Sequence, residues 1–195
     1  YKNNILKHND PANQAFGLSP TQLIPATGEI TVVTKSYGYS GGLSFTRSIF
    51  ARGRDGSGNG WSVAILRNIT TGILNFAVVT TVPSTAQVTA TSTKNCNSRW
   101  AFIAGIWKPK NYVACFVDGE YIVTTTGSSS LRTSTINEGI FNPRGTPSSS
   151  TADVDAEFFY LYSRALTVSE IRSLYEAPYQ FIQTPRRIFY SLSTG

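Results

Sequence analysis

Three carboxylates alternate in the last quarter of the chain, at Asp153, Asp155 and Glu157. Successive side chains of a strand point to opposite faces, so this spacing places all three on one face. Clustered carboxylates raise one another's pKa, and two of them about 5 Å apart would suit a retaining glycoside hydrolase. The favoured alternative is that they are structural or solvent-facing. A nucleophile with a histidine base is not expected, because the only histidine, His8, lies in a polar N-terminal stretch.

A Gly-rich loop carries oxygen ligands at alternate positions, Asp55, Ser57 and Asn59, as in the first half of a calcium-binding loop. The twelfth position counted from Asp55 is Leu66, where such a loop needs a bidentate Glu. An ordinary hairpin loop is therefore favoured over a calcium site, and we expect no other cofactor.

The two cysteines, Cys96 and Cys115, are predicted to be free thiols. We expect a hairpin that pairs Trp107 with Tyr112. In that register Ala104 lies opposite Cys115 and eight residues from Cys96, about 25 Å along a strand. A disulfide needs Cα atoms within about 7 Å, so the thiols stay apart, as in a protein assembled in a reducing cytoplasm.

Exposed aromatic rings can stack on the apolar faces of sugars, and four residues are candidates for this role: Tyr37, Tyr39, Trp107 and Tyr112. The first two belong to a Tyr-Gly-Tyr-Ser-Gly-Gly stretch, and the other two flank the turn at 108–111. For each of them the alternative is simple packing at a strand end. Trp61 and Trp100 each open an apolar strand, so we predict that they lie in the core.

Short β-strands must position these residues. Strand patterns occupy 29–34, 42–46, 48–51, 61–66, 74–79, 100–107, 112–117, 120–126 and 156–162. Asp118–Gly119 predicts a two-residue hairpin turn. Thr167 and Glu170 form a capping box for one short helix, which must end before Pro178.

The composition agrees with one all-β domain. Of 195 residues, 41% are hydrophobic, 12% aromatic and 14% charged, and Thr, Ser and Gly are abundant. No apolar run is long enough for a membrane helix, and the first residues lack the apolar region of a signal peptide. The net charge of +6 is scattered, with Arg186–Arg187 the only adjacent basic pair, so we expect acidic glycans or proteins as partners rather than nucleic acid.

The stretch 158–171, Phe-Phe-Tyr-Leu-Tyr-Ser-Arg-Ala-Leu-Thr-Val-Ser-Glu-Ile, resembles the closing signature of the laminin-G-like, concanavalin A-like domains. Trp100 with its apolar strand, Phe116-Val117-Asp118-Gly119 and Gly60-Trp61 are similar to other parts of that family. The resemblance implies an all-β, two-sheet antiparallel jelly-roll sandwich over residues 26–176, with one short C-terminal helix. It does not imply one function, because this fold hosts lectins, hydrolases and structural modules alike.

The resemblance also bears on catalysis and context. Hydrolases of this fold carry a Glu-x-Asp-x-Glu strand, whereas this chain has Asp153 at the first position, and Glu157 falls where non-catalytic members keep a structural acid. We therefore expect no enzyme. The tail, Ala177-Pro178-Tyr179-Gln180-Phe181 and then 185–190, resembles the ends of such domains in bacteriophage and prophage proteins.

The function expected is a non-catalytic interaction module of a phage-like virion, as capsid decoration, tail or fibre component, with glycan binding as an added capacity. The arm 1–25 and the tail 177–195 would contact neighbouring virion subunits in a homo-oligomer assembled in the bacterial cytoplasm, without nucleic-acid or membrane contacts. The alternatives are a free-standing or extracellular lectin or adhesin and, third, a glycoside hydrolase using Asp153, Asp155 and Glu157.

Overall fold

The computed structural model describes residues 16–17, 28–39, 46–54, 61–82, 86–131, 138–140 and 154–180. Twelve strands and one helix make up this part of the chain. In order they are β1 (Phe16–Gly17), β2 (Ile30–Gly38), β3 (Thr46–Arg54), β4 (Trp61–Asn68), β5 (Leu74–Val82), β6 (Ala86–Thr91), β7 (Arg99–Lys108), β8 (Tyr112–Val117), β9 (Glu120–Thr125), β10 (Ser130–Leu131), β11 (Glu138–Ile140), β12 (Val154–Tyr162) and α1 (Val168–Glu176).

The strands form two antiparallel sheets. The five-stranded sheet has the order β12-β2-β7-β8-β9, and the seven-stranded sheet has the order β1-β11-β3-β4-β5-β10, with β6 also paired to β5. The predicted all-β jelly-roll sandwich with one short C-terminal helix is confirmed. Two residues of the predicted arm form β1, which pairs with β11 at the edge of the larger sheet.

Alternate residues of each strand fill the space between the sheets. In the five-stranded sheet Ile30 and Val32 of β2 and Ala101, Ile103 and Trp107 of β7 point inward. The seven-stranded sheet opposes them with Phe50, Val63, Ile65, Phe76 and Val78. These side chains are at most 2% exposed, so this layer is the main hydrophobic core.

A second apolar layer covers the opposite surface of the five-stranded sheet, which we call the outer face. Phe102, Phe116 and Phe158 lie there, and Ile171 and Leu174 of α1 pack onto them. These two helix residues are three positions apart, so they share one side of the helix and bury it. Because α1 covers strands β12, β7 and β8, those strands are apolar on both faces.

The ends of α1 agree with the sequence pattern. Thr167 is the N-cap, its hydroxyl accepts from the Glu170 amide, and the Glu170 carboxylate accepts from the Thr167 amide in return. Arg164 adds an ion pair to Glu170 at 2.6 Å. The helix ends at Glu176, two residues before Pro178, as predicted.

The two hairpins of the five-stranded sheet differ in their turns. Asp118 and Gly119 both have positive φ, +43° and +90°, which is the predicted two-residue turn between β8 and β9. The β7–β8 turn instead has three residues, with Lys110 at φ +59°, and pairs Lys108 with Tyr112. The predicted pairing of Trp107 with Tyr112 is therefore wrong by one residue.

The same shift changes the predicted neighbour of one cysteine. Gly105, not Ala104, lies opposite Cys115. Both Cys115 and Cys96 are nevertheless free thiols, as predicted, and both are buried. Both thiols belong to the main core cluster, so the extended-strand estimate of their separation is not the reason that they are free.

Candidate functional site

Three aromatic side chains meet at one end of the outer face, and we call them the aromatic cluster: Tyr37, Tyr39 and Trp100. Tyr37 of β2 lies opposite Trp100 of β7, with ring centroids 5.8 Å apart. Tyr39 is two residues further along on the same face, and its ring lies 4.9 Å from that of Tyr37. Both contacts are edge-to-face, a favoured geometry for aromatic pairs. Tyr39 is 36% exposed and the other two rings are partly exposed, so the cluster is an apolar surface open to a ligand.

The backbone beneath the aromatic cluster is held from inside the sandwich. Gly38 faces inward between the two tyrosines, where a Cβ would lie 1.6 Å from Nη1 of the buried Arg67. The Nη2 group of Arg67 donates to the Tyr39 carbonyl at 3.0 Å, and the Ser98 amide donates to the Gly38 carbonyl at 2.6 Å. Only glycine allows this close approach, which fixes the positions of both tyrosines.

Asp155 joins the aromatic cluster from β12. It lies opposite Tyr37 in the sheet and is only 7% exposed. The Tyr39 hydroxyl donates to its Oδ2 at 2.8 Å. A charge-assisted hydrogen bond of this kind fixes the orientation of the Tyr39 ring.

Glu157 occupies a β-bulge on β12, where the pairing with β2 shifts between Ala156 and Phe158. It forms an ion pair with Lys35 at 2.7 Å and accepts a hydrogen bond from the Tyr179 hydroxyl. Burial raises the pKa of Glu157, but the hydrogen bonds from Lys35 and Tyr179 outweigh burial, so its pKa lies below the ordinary value.

The carboxylate strand therefore has two described members with separate partners. Asp155 accepts from Tyr39, whereas Glu157 is held by Lys35 and Tyr179, and Asp153 lies outside the described residues. A general acid that works near neutral pH needs a raised pKa. The pKa of Glu157 is displaced in the opposite direction.

Trp107, predicted as an exposed sugar-binding candidate, does not lie on the surface. It is 0% exposed and belongs to the core between the sheets. The shifted β7–β8 register explains the error, because it pairs Trp107 with Val113 and leaves Tyr112 on the opposite face. A slip of one residue exchanges the two faces of a strand.

Trp100 is the converse case, since it was predicted to lie in the core and instead completes the aromatic cluster. Trp100 and Trp107 are seven positions apart on one unbroken strand, so they must point to opposite faces. This parity allows only one of the two rings to face the core, but it does not say which one. The side chain of Trp61 lies outside the described residues.

Tyr112 lies on the outer face beside Tyr121 of β9, and both rings are partly buried. Burial raises the pKa of Tyr121 to about 12, and a hydrogen bond to Tyr112 adds to the effect. This tyrosine pair is at the far side of the sheet from the aromatic cluster. Tyr121 was not among the candidates because nothing in the linear sequence separates it from other strand tyrosines.

His8, the loop at 55–60 with Asp55, Ser57 and Asn59, and Arg186–Arg187 all lie outside the described residues. Within the described segments no three His, Cys, Asp or Glu side chains are arranged to hold a metal ion. Among the same residues no helix is long and apolar enough to cross a membrane.

Comparison with known proteins identifies the fold. The sequence profile of the concanavalin A-like lectin/glucanases superfamily, in its laminin G form, matches residues 15–172. None of the curated proteins compared with the chain matches it significantly.

Solved structures with the same fold include parts of two sialidases and of one neurotoxin. A sialidase of Trypanosoma rangeli with the inhibitor DANA has a TM-score of 0.54 and 18% identity, over 77% of this chain and 23% of the sialidase. The binding domain of botulinum neurotoxin serotype G has a TM-score of 0.58 and 11% identity, over 80% of this chain and 37% of the toxin domain. The CBM40 module of a Ruminococcus gnavus sialidase, bound to α2,3-sialyllactose, has a TM-score of 0.58 and 13% identity, over 76% of this chain and 83% of the module.

The chain thus spans about a quarter of the sialidase and over a third of the toxin domain. At these identities the likeness concerns the fold.

Proposed function

Because the chain belongs to the concanavalin A-like lectin/glucanases superfamily, we propose that it is a non-catalytic, carbohydrate-binding interaction module. The observation that carries this proposal is the aromatic cluster, in which Tyr37, Tyr39 and Trp100 form one partly exposed surface. Sugar rings have apolar C–H faces that pack on aromatic rings, and neighbouring hydroxyls need fixed polar partners. The CBM40 module bound to sialyllactose supports the proposal as a domain of the same fold that holds a glycan.

The test is glycan-array binding of the full chain beside two variants of Tyr39. Tyr39→Ala removes an exposed ring and is expected to weaken binding about two- to twelvefold, since such aromatic contacts contribute about 0.5–1.5 kcal/mol. Tyr39→Phe keeps the ring and loses only the hydrogen bond to Asp155, so it should retain most of the affinity.

Gln87→Ala is the matched control, because Gln87 is exposed on the other sheet. Unchanged glycan binding by Tyr39→Ala, with its fold intact by circular dichroism, would contradict the assignment of the aromatic cluster.

The non-catalytic part of the proposal rests on Glu157. Its ion pair with Lys35 and its contact with Tyr179 give it a structural role at the bulge. We expect no release of reducing sugar from polysaccharides by the full chain. If the full chain does release reducing sugar and the Glu157→Gln variant does not, the hydrolase alternative is supported instead.

We further propose that the module belongs to a phage-like virion as a decoration, tail or fibre component. The support is the likeness of residues 177–190 to the ends of phage and prophage proteins, together with the apolar residues in 1–25. Removal of residues 1–14, which leaves β1 in place, should then dissociate a homo-oligomer without changing glycan affinity. A full chain that sediments as a monomer at all concentrations would argue against a role in a virion.

A further inference from the structure

The most exposed large apolar side chains among the described residues share one face of the molecule. They are Tyr39, Val123 and Tyr175, at 36%, 45% and 42% exposure. Tyr39 belongs to the aromatic cluster, Val123 lies on β9 beside Tyr121, and Tyr175 projects from α1 onto the same outer face. Exposed apolar side chains that gather on one face mark a binding surface.

Tyr175 connects the two ends of this face. Its ring lies 5.4 Å from Phe102 and 5.7 Å from Phe116. Phe102 is two residues along β7 from Trp100 on the same face, and Phe116 pairs directly with Tyr121. The partly exposed rings therefore follow one another across the sheet in a line that we call the aromatic track: Tyr39, Tyr37, Trp100, Tyr175, Tyr121 and Tyr112.

The aromatic track is longer than one sugar. From Tyr37 on β2 to Tyr121 on β9 there are three strand spacings, about 14 Å. Tyr121 lies in register with Val33, four residues before Tyr37, which adds about 13 Å along the strand. The two rings are thus separated by about 20 Å along a diagonal, which several linked sugar rings would span.

Positive and negative groups beside the aromatic track balance one another. Lys35 pairs with Glu157, and Arg99 pairs with Asp118. On α1 the exposed Arg172 and Glu176 have opposite charges. Lys108 lies opposite Tyr112 at one end of the track. The Asp155 carboxylate, which accepts from the Tyr39 hydroxyl, supplies the opposite charge at the other end. The excess positive charge of the whole chain is therefore not a property of this surface, which matches an uncharged ligand better than an acidic one.

We propose that the aromatic track binds a linear, uncharged polysaccharide whose equatorially linked sugars lie flat across the outer face, with the Tyr175 ring as the central contact. This rests on the proposed carbohydrate-binding function and adds the ligand class and the extent of the site. Flat ribbons of equatorially linked hexoses present apolar faces to successive rings, whereas a single terminal sugar would use only the aromatic cluster.

Isothermal titration with cello-oligosaccharides of two to six sugars tests the proposal, with oligogalacturonides of equal length as the acidic series. The affinity for cellohexaose is expected to exceed that for cellobiose at least tenfold. Tyr175→Leu keeps an apolar side chain over Phe102 and Phe116 but removes the flat ring. It should lower the cellohexaose affinity about tenfold and leave the cellobiose affinity unchanged, whereas Tyr175→Phe should bind like the parent chain.

Four results would overturn the proposal. Equal affinity for both cello-oligosaccharides, or no effect of Tyr175→Leu on cellohexaose, would limit the site to the aromatic cluster. Tighter binding of oligogalacturonides, lost in Tyr39→Ala, would leave carbohydrate binding in place and reject the uncharged ligand. If binding of no glycan on the array depends on Tyr39, the proposed carbohydrate-binding function is rejected as well.

Discussion

At the scale of single residues, Gly105 decides how closely the two sheets approach at the centre of the sandwich. It lies on β7 between Val32 and Cys115, and the ring of Phe76 from the other sheet fills the space that a side chain would need. A Cβ at this position would be 2.0 Å from Cδ2 of Phe76. The ring cannot move aside without disturbing a closely packed core.

Gly105→Ala is therefore expected to destabilise the protein by about 1–3 kcal/mol, the usual cost of overpacking a core. Urea unfolding followed by tryptophan fluorescence measures the change. Gly127→Ala is the control, because a Cβ there meets nothing within 4 Å. Equal stability of the two variants would show that the sheets separate readily at Gly105.

The chemical role of some residues could be predicted from the sequence, but the face of the strand on which a side chain lies could not always be. The capping Thr167 follows from residue type and near neighbours, so it could be predicted. Whether Trp100 or Trp107 is exposed depends on which face of β7 meets the other sheet. Both faces of β7 are apolar because α1 covers one of them, so hydrophobicity alone could not distinguish the two.

At the scale of elements, α1 depends on its first turn. The helix has nine residues, a length that is only marginally stable by itself. Thr167 and Glu170 satisfy amide groups that the helix leaves unpaired, and Arg164 holds the Glu170 carboxylate. Packing on the outer face and this cap together keep the helix formed.

Thr167→Ala should lower the free energy of unfolding by about 0.5–2 kcal/mol, the range for loss of an N-cap hydroxyl. Thr167→Ser keeps the hydroxyl and should stay within a few tenths of a kcal/mol of the parent chain. Thermal unfolding of both variants measures the difference. A loss as large for serine as for alanine would attribute the effect to the methyl group.

Glu170 makes the same turn sensitive to acid. Hydrogen bonds from Arg164 and Thr167 lower its pKa from 4.5 to about 2. A carboxylate whose pKa is depressed by folding stabilises the folded state above its unfolded pKa, and this contribution is lost as the pH falls towards its folded pKa. Urea midpoints should therefore fall between pH 4.5 and 2 more steeply in the parent chain than in Glu170→Gln. Parallel curves would contradict the cap as a source of acid sensitivity.

Turn residues explain which elements could be predicted in detail. Asp118–Gly119 is a strong two-residue signal, and the β8–β9 register follows from it. The β7–β8 turn places Lys110 at positive φ, where glycine or asparagine would be usual. Its three-residue length, and hence the register, could not be read from the residue types.

At the scale of the whole molecule, the sandwich has an outer apolar layer as well as a core between its sheets. Phe102, Phe116 and Phe158 are buried only where α1 and the residues after it lie over the five-stranded sheet. Tyr160 donates to the Pro178 carbonyl at 3.0 Å, which ties the end of this cover to β12. The fold is therefore incomplete without its C-terminal helix.

A chain that ends at Leu166 is expected to bind the dye ANS and to aggregate, because the outer apolar layer becomes exposed. A chain that ends at Gln180 keeps α1 and the Tyr179 contact and is the control. Light scattering and ANS fluorescence of the two chains distinguish them. A soluble, dye-free chain ending at Leu166 would show that the sandwich needs no cover.

The two buried thiols also provide a means of timing how often the sandwich opens. Cys96 and Cys115 are at most 2% exposed, and burial raises their pKa values to about 11 and about 12. Only an accessible thiolate reacts with an alkylating reagent, so labelling must wait until the sheets separate. The rate of alkylation of these thiols at low denaturant therefore reports how often the core of the native chain opens, and no engineered probe is needed.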